Sequence, residues 1–321
     1  MSKQTTTQAA QADVYALFQE SVQDPDFEVD FIETQFRALR GREPHVLRED
    51  FCGTAALSAQ WGRRALDAAA HGVDTRGDML EWGQAHNLTE PALAKRVQLH
   101  RGDVANTATP TADVITALNF AYSQYKTRAA LRDYFAAARS RLNSDGLMVL
   151  DAFGGSEVMG HTMDETEMPD HDAVFIWDQE HFNVITHELL AHIHFEFADG
   201  SELEKAFTFD WRIWTLPELQ ELLLEAGFKK VHVYWEKFID AHDLDDEDED
   251  EDEALDDEDL EEDDEDEEFD EDDEFDELDD TIESMLDDED DDHEMIGTGE
   301  YHAQVDAENQ ESWVAYIIAE A

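Results

Sequence analysis

Residues 48–58 read REDFCGTAALS, and the class of fold turns on this stretch. A short apolar run, HVLRE (45–49), leads into it, and TAALSAQWGRRALDAAA (54–70) leads out with helical spacing. The apolar period therefore changes from strand to helix across Phe51, Cys52, Gly53, Thr54 and Ala55. A strand end, a tight loop and a helix N-terminus make a binding site at the carboxyl edge of a parallel sheet. The dinucleotide pattern G-x-G-x-x-G, whose glycines let a pyrophosphate approach the backbone, is not met, since the loop keeps only Gly53. That disfavours a nicotinamide enzyme.

The alternation continues outward. HGVD (71–74) ends a second strand, and GDMLEWGQAHN (77–87) is helical with Asp78 as a candidate N-cap. RVQLHRGD and ADVITALNF are strand-like, TRAALRDYFAAARSRLN (127–143) is amphipathic, and SDG turns the chain into LMVLDAF (147–153). Strands and helices at this spacing imply a parallel sheet with helices on both faces. Upstream, residues 12–23 and 30–41 place apolar residues three and four apart, and Gly41 is a stop for the second helix. Downstream, 156–172 is loop-like and 173–214 alternates as antiparallel strands, with ADGS as a turn. TLPELQELLLEAGF is a capped helix ending at Gly227. KKVHVYWE (229–236) and SWVAYIIAEA (312–321) are the last two strands.

These motifs, in this order, resemble the class I S-adenosylmethionine-dependent methyltransferases over about residues 45–240 and 312–321. In that family an acidic residue ends the first strand and a G-x-G-x-G loop, often containing Cys-Gly-Thr, follows. Glu49 takes the acidic position and Cys52-Gly53-Thr54 the centre, while Phe51 and Ala55 replace the outer glycines. The resemblance implies a Rossmann-like seven-stranded α/β sheet with helices on both faces and an antiparallel β-rich lid, to which the composition of this chain adds a disordered acidic insertion. It divides the chain into an N-terminal helical cap (1–44), a cofactor-binding core (45–155), a substrate lid (156–214), a completion of the sheet (215–240 and 312–321), the insertion (241–294) and a connector (295–311).

By the same resemblance S-adenosylmethionine is the cofactor. Asp74, with Thr75 beside it, stands where the ribose hydroxyls are gripped, and Asp103, with Val104, where the adenine is met. Asn119 follows the fourth strand at the methyl-transfer pocket, with Tyr122 and Tyr125 as further pocket candidates; no catalytic base is identified. Cys52 is expected to lend backbone groups rather than a nucleophile, and Arg48 either pairs with a carboxylate or reaches the ligand. No D/N-P-P-Y run follows the fourth strand, so the acceptor is expected to be a small molecule or a basic protein side chain. Trp177, Phe195, Phe197, Trp211 and Trp214 are lid or sheet core, or else an aromatic wall around a cation. His187, His192 and His194 lack the partners a metal set requires, so no metal is expected.

The formal net charge is −62, and 39 of the 83 acidic residues lie between Asp243 and Glu294 with no Lys or Arg among them. Such a segment buries too little apolar surface to fold alone. It contains no glycine, which excludes the turn of a calcium-binding EF-hand loop. Two readings stay open for it: salt adaptation, which a chain richer in Arg than Lys allows, and recruitment of a basic protein partner. The second defines a rival to the enzyme, a non-catalytic binding protein on the same fold. The acidic balance argues against nucleic acid and anionic membranes. No apolar run is long enough to span a bilayer, and the N-terminus has no apolar stretch of signal-peptide type. A single cysteine, Cys52, excludes an intrachain disulfide and suits a cytoplasmic location.

Overall fold

The structure is a computed structural model and describes residues 6–240 and 295–321. The chain divides into two compact units, one reaching to Glu236 and resuming at Tyr301, the other Lys237–Glu300. In the second unit the Thr298 hydroxyl donates to the Lys237 carbonyl at 2.9 Å. The expected acidic insertion, 241–294, lies outside the described residues.

The fold is built on one large sheet. Its strands are β1 (Val46–Asp50), β2 (Ala69–Asp74), β3 (Val97–Arg101), β4 (Ala112–Ala117), β5 (Leu142–Gly154), β10 (Lys230–Asp240), β11 (Met295–Gln304) and β12 (Trp313–Glu320), in the order β11-β10-β12-β5-β4-β1-β2-β3. β3, β2, β1, β4 and β5 are parallel, and β12 runs antiparallel to both β5 and β10. The sequence order therefore reverses direction between β1 and β4, which opens a crevice at the carboxyl ends of those two strands. Side chains alternate across the sheet with period two. Ile115, Met148 and Ile317 face Leu131 and Phe135 of α5 (Arg128–Arg139) and Leu219 and Leu223 of α6 (Leu216–Glu225). Val114, Val149 and Ile318 face the opposite layer, with Ile32 and Phe36 of α2 (Pro25–Arg40) and Trp61 of α3 (Ala56–Arg64).

The boundary signals work as local chemistry. Gly41 closes α2 at φ 67°, a left-handed position that costs glycine nothing. Thr215 and Glu218 cap each other's backbone N–H groups at the start of α6, a full capping box.

Several expectations need correction. The helix expected over 54–70 ends at Arg64, because Ala69 and Ala70 are taken into the sheet, where small apolar residues serve either structure. Asp78 is not the N-cap of α4 (Gly77–His86); Arg76 holds that position, and Asp78 accepts from Arg76 and from the Tyr15 hydroxyl. The loop-like 156–172 contains β6 (Met163–Met168), and the connector 295–311 contains β11, which makes the sheet eight-stranded rather than seven-stranded. Both are edge strands. β6 is mostly acidic and exposed, so neither an apolar alternation nor a buried face marks it.

The lid is a second sheet, β6-β7-β8-β9, with β7 Ala173–Asn183, β8 Glu188–Phe197 and β9 Glu202–Arg212, all antiparallel. The described residues before β1 pack in two places. Leu17 of α1 (Val14–Val22) packs on Ile193, Phe195 and Phe207 of the lid, whereas α2 packs on the large sheet.

Candidate functional site

Three carboxylates stand at or just beyond the carboxyl ends of β1, β2 and β3: Glu49, Asp74 and Asp103. Glu49 is buried and accepts from the Ser58 N–H at 2.9 Å and its hydroxyl at 2.5 Å, pinning the first turn of α3. Burial raises its carboxyl to about 7. Asp74 ties the loops together, accepting the Gly53 N–H at 2.9 Å and the Arg76 N–H at 2.7 Å. Thr75 is exposed next to it. Asp103 is exposed and accepts from the Asn106 backbone and side chain; Val104 beside it is buried.

Between Glu49 and α3 the backbone is left-handed at every second residue: Phe51 at φ 61°, Gly53 at 51° and Ala55 at 59°. That is the spacing of a G-x-G-x-G loop, kept although two of the glycines are absent. A non-glycine residue pays about 1 kcal/mol or more for this conformation. Phe51 recovers it by packing on Tyr134 and Tyr125, and Ala55 is fully buried. Ala55→Gly is therefore expected to change stability by less than about 1 kcal/mol, because relief of strain offsets the lost methyl burial of about 0.8 kcal/mol. Denaturant unfolding checks this, and a loss above about 2 kcal/mol would contradict it.

The loop is held from both sides. Cys52 donates its N–H to the Val73 carbonyl, and burial pushes its thiol well above the ordinary range, which agrees with a backbone role. Thr54 donates its hydroxyl to Gln19 at 2.8 Å, and Asn87 donates to both Gln19 and the Thr54 carbonyl. Gln19, on α1, is a contact that no motif announced. Arg48 does not reach outward. It is fully buried, pairs with Asp50 at 2.7 Å, and donates to Val104, Thr107 and Thr109, so it anchors the segment that follows Asp103.

On the far side of the crevice, Asn119 and Phe120 are both left-handed, and both N–H groups donate to the Asp151 carboxylate, at 2.6 and 2.9 Å. Burial lifts Asp151 to about 7 against these bonds. Asn119 lines a cavity of about 700 Å³ that lies between the lid, α1, the start of α2 and the ends of β5 and β12. Tyr122 and Tyr125 are not in its wall. Tyr122 is core, its hydroxyl donating to the Asp151 carbonyl at 2.7 Å, and Tyr125 packs behind Phe51. Trp177 and Trp211 do line it, whereas Phe195, Phe197 and Trp214 are core. Sequence patterns missed Asp151 and Glu28, the two buried acids of this wall. Burial, reinforced by Asp151, Glu49 and Asp24, holds the Glu28 carboxyl well above its usual range.

Two of the three histidines singled out have acidic partners: His192 meets Glu180 at 2.9 Å and His194 meets Asp178 at 3.4 Å. Among the described residues no group of three or more His, Cys, Asp or Glu forms a metal-binding set, and no helix is long and apolar enough to cross a membrane.

Raised carboxyls give a definite pH signature. A group whose folded pKa lies above its unfolded value stabilises fully below the unfolded pKa and loses that contribution as pH climbs through the folded one. For Glu49 and Asp151 the window runs from about 4 to about 7. His71 and His100 are shifted down, mainly by burial, and act in the opposite sense only below their usual range. Lowering the pH from 8 to 6.5 is thus expected to raise Tm by about 2–6 °C. Calorimetric scans at both pH values check this, and a fall in Tm would contradict it.

No protein-family model matches the chain, and no curated protein matches it. Solved structures do. SAM-bound CalS10, an amino pentose methyltransferase from Micromonospora echinaspora, aligns at 20% identity with TM-score 0.55, covering 70% of this chain and 92% of that one. An S-adenosylmethionine-dependent methyltransferase from Clostridium acetobutylicum aligns at 16% identity with TM-score 0.54, covering 71% and 89%. The CcbJ methyltransferase from Streptomyces caelestis aligns at 20% identity with TM-score 0.53, covering 66% and 88%. The chain thus shares the fold of small-molecule methyltransferases of class I.

Proposed function

We propose that this protein is an S-adenosylmethionine-dependent methyltransferase acting on a small-molecule acceptor. The observation that carries the reading is the left-handed backbone at Phe51, Gly53 and Ala55, held beside Asp74. A chain with no use for a close ligand approach would have little reason to keep two strained non-glycine residues there.

The residues fit such a cofactor. Each Asp74 oxygen has spent one acceptor site on a backbone N–H and keeps another for a ribose hydroxyl. Asp103 is exposed one strand further along, at the adenine end. Glu49 and the Gln19–Thr54–Asn87 bonds hold the loop from behind. When bound, the cofactor supplies a methyl group already activated by its sulfonium. What remains for the protein is to align an acceptor and exclude water. Asn119 stands on both sides of that task, at the end of β4 and in the cavity wall. The cavity, near 700 Å³, suits an acceptor of the bulk of a small metabolite.

Calorimetric titration with S-adenosylmethionine and S-adenosylhomocysteine tests this. Binding of both is expected, weakened about tenfold or more in Asp74→Ala. No binding by the folded protein would overturn the proposal.

A further inference from the structure

The wall of the cavity is lopsided in charge. Asp24, Glu157 and Asp164 stand exposed at its rim, Glu20 is paired with His171, and Glu28 and Asp151 are buried within. Among the described residues no Lys, Arg or His lines it.

A row of acidic side chains is commonly a solvated face, but Glu28 is largely buried. It is 7% exposed, and its carboxyl group has neither ion pair nor hydrogen bond among the described residues, although it lines the cavity. Asp151 differs, because the Asn119 and Phe120 amides satisfy it. The amide oxygens of Gln23, in the segment before α2, and of Gln179, on β7, are also without a partner, but they are closed off from solvent and lie behind the cavity surface rather than on it. Buried acceptors without donors are rare in folded proteins. The aromatic part of the wall includes Trp177 and Trp211, whose faces attract cations.

We propose that the acceptor is an amine bound as its cation, its ammonium group taken against Glu28 and its carbon skeleton against Trp177 and Trp211; the ammonium must give a proton to the Glu28 carboxylate before its nitrogen has a lone pair with which to accept a methyl group. An ammonium group brings three donors and a positive charge to a wall of acceptors and carboxylates, whereas a hydroxyl brings one donor and no charge. An anionic acceptor would meet only like charge. The inference rests on the methyltransferase reading for the fate of the amine, but recognition of the amine is separable from cofactor binding.

The test uses the full chain saturated with S-adenosylhomocysteine, titrated with benzylamine and, separately, with benzyl alcohol. The amine is expected to bind about tenfold or more tightly than the alcohol. Glu28→Gln, isosteric but uncharged, is expected to abolish that preference while leaving affinity for the alcohol and for S-adenosylhomocysteine unchanged. Retained S-adenosylhomocysteine binding reports that the variant is folded. Equal affinity for amine and alcohol, or a preference that survives Glu28→Gln, overturns the proposal. Failure of wild-type protein to bind S-adenosylhomocysteine would instead overturn the methyltransferase reading, and the same amine and alcohol titrations without it would still decide the charge preference.

Discussion

Arg48→Ala is expected to destabilise the protein by about 3–5 kcal/mol, because it leaves a buried charge without its partner. Arg48 and Asp50 are 0% and 1% exposed at their side chains. Asp50 already sits at about 6 through burial, even with Arg48 beside it. Without the guanidinium its carboxyl rises further, so the loss is expected to be larger at pH 8 than at pH 5. Tyr134, which donates to the other Asp50 oxygen at 3.1 Å, compensates only in part. The same change frees the Val104, Thr107 and Thr109 oxygens from their donor, so Asp103 loses its fixed position and cofactor affinity falls as well. Denaturant unfolding at the two pH values measures this. A loss below about 1 kcal/mol would mean that the buried pair contributes little.

Gly83→Ala is expected to cost about 3 kcal/mol or more, at the severe end of overpacking. Gly83 lies on the buried face of α4, and an added Cβ would stand 2.0 Å from the Thr54 carbonyl oxygen. That oxygen belongs to backbone, which cannot swing aside as a side chain would. The helix or the loop must move, and the loop carries Gly53 and the Asn87 contact. Cofactor affinity is therefore expected to fall together with stability. Gln84→Ala, exposed on the same helix, should change stability by less than about 0.5 kcal/mol. Thermal melts of the two variants separate steric conflict from helix propensity, and equal effects would contradict this account.

Much of the large sheet was legible because β4, the second half of β5 and β12 are apolar runs and the helices beside them carry amphipathic stripes, both of which are local signals. The loop after β1 was legible from Glu49 and Cys52-Gly53-Thr54, and the structure adds that Phe51 and Ala55 keep the backbone of the absent glycines. What was missed is tertiary. Glu28 reads as one more acid in PDFEVDFIE, yet it falls three and four residues before Phe31 and Ile32, on the buried stripe of α2. Asp151 likewise shares the face of Leu147 and Val149 in β5. Both positions mark acids on apolar faces, a signal that periodicity contains. The strands β6 and β11 carry no such signal, being polar or glycine-containing edges. Tyr122 and Tyr125 follow β4 where a pocket residue is expected, but the left-handed turn at Asn119 and Phe120 sends them into the core.

The central claim is that the cofactor lies on the left-handed loop at the carboxyl ends of β1 and β2. Amide hydrogen exchange with and without S-adenosylhomocysteine tests it most directly. At ten times Kd, exchange at residues 51–58 and 74–77 is expected to slow by about tenfold, since opening must first release the ligand. Unchanged exchange there, with protection arising on some other part of the fold, would contradict the claim.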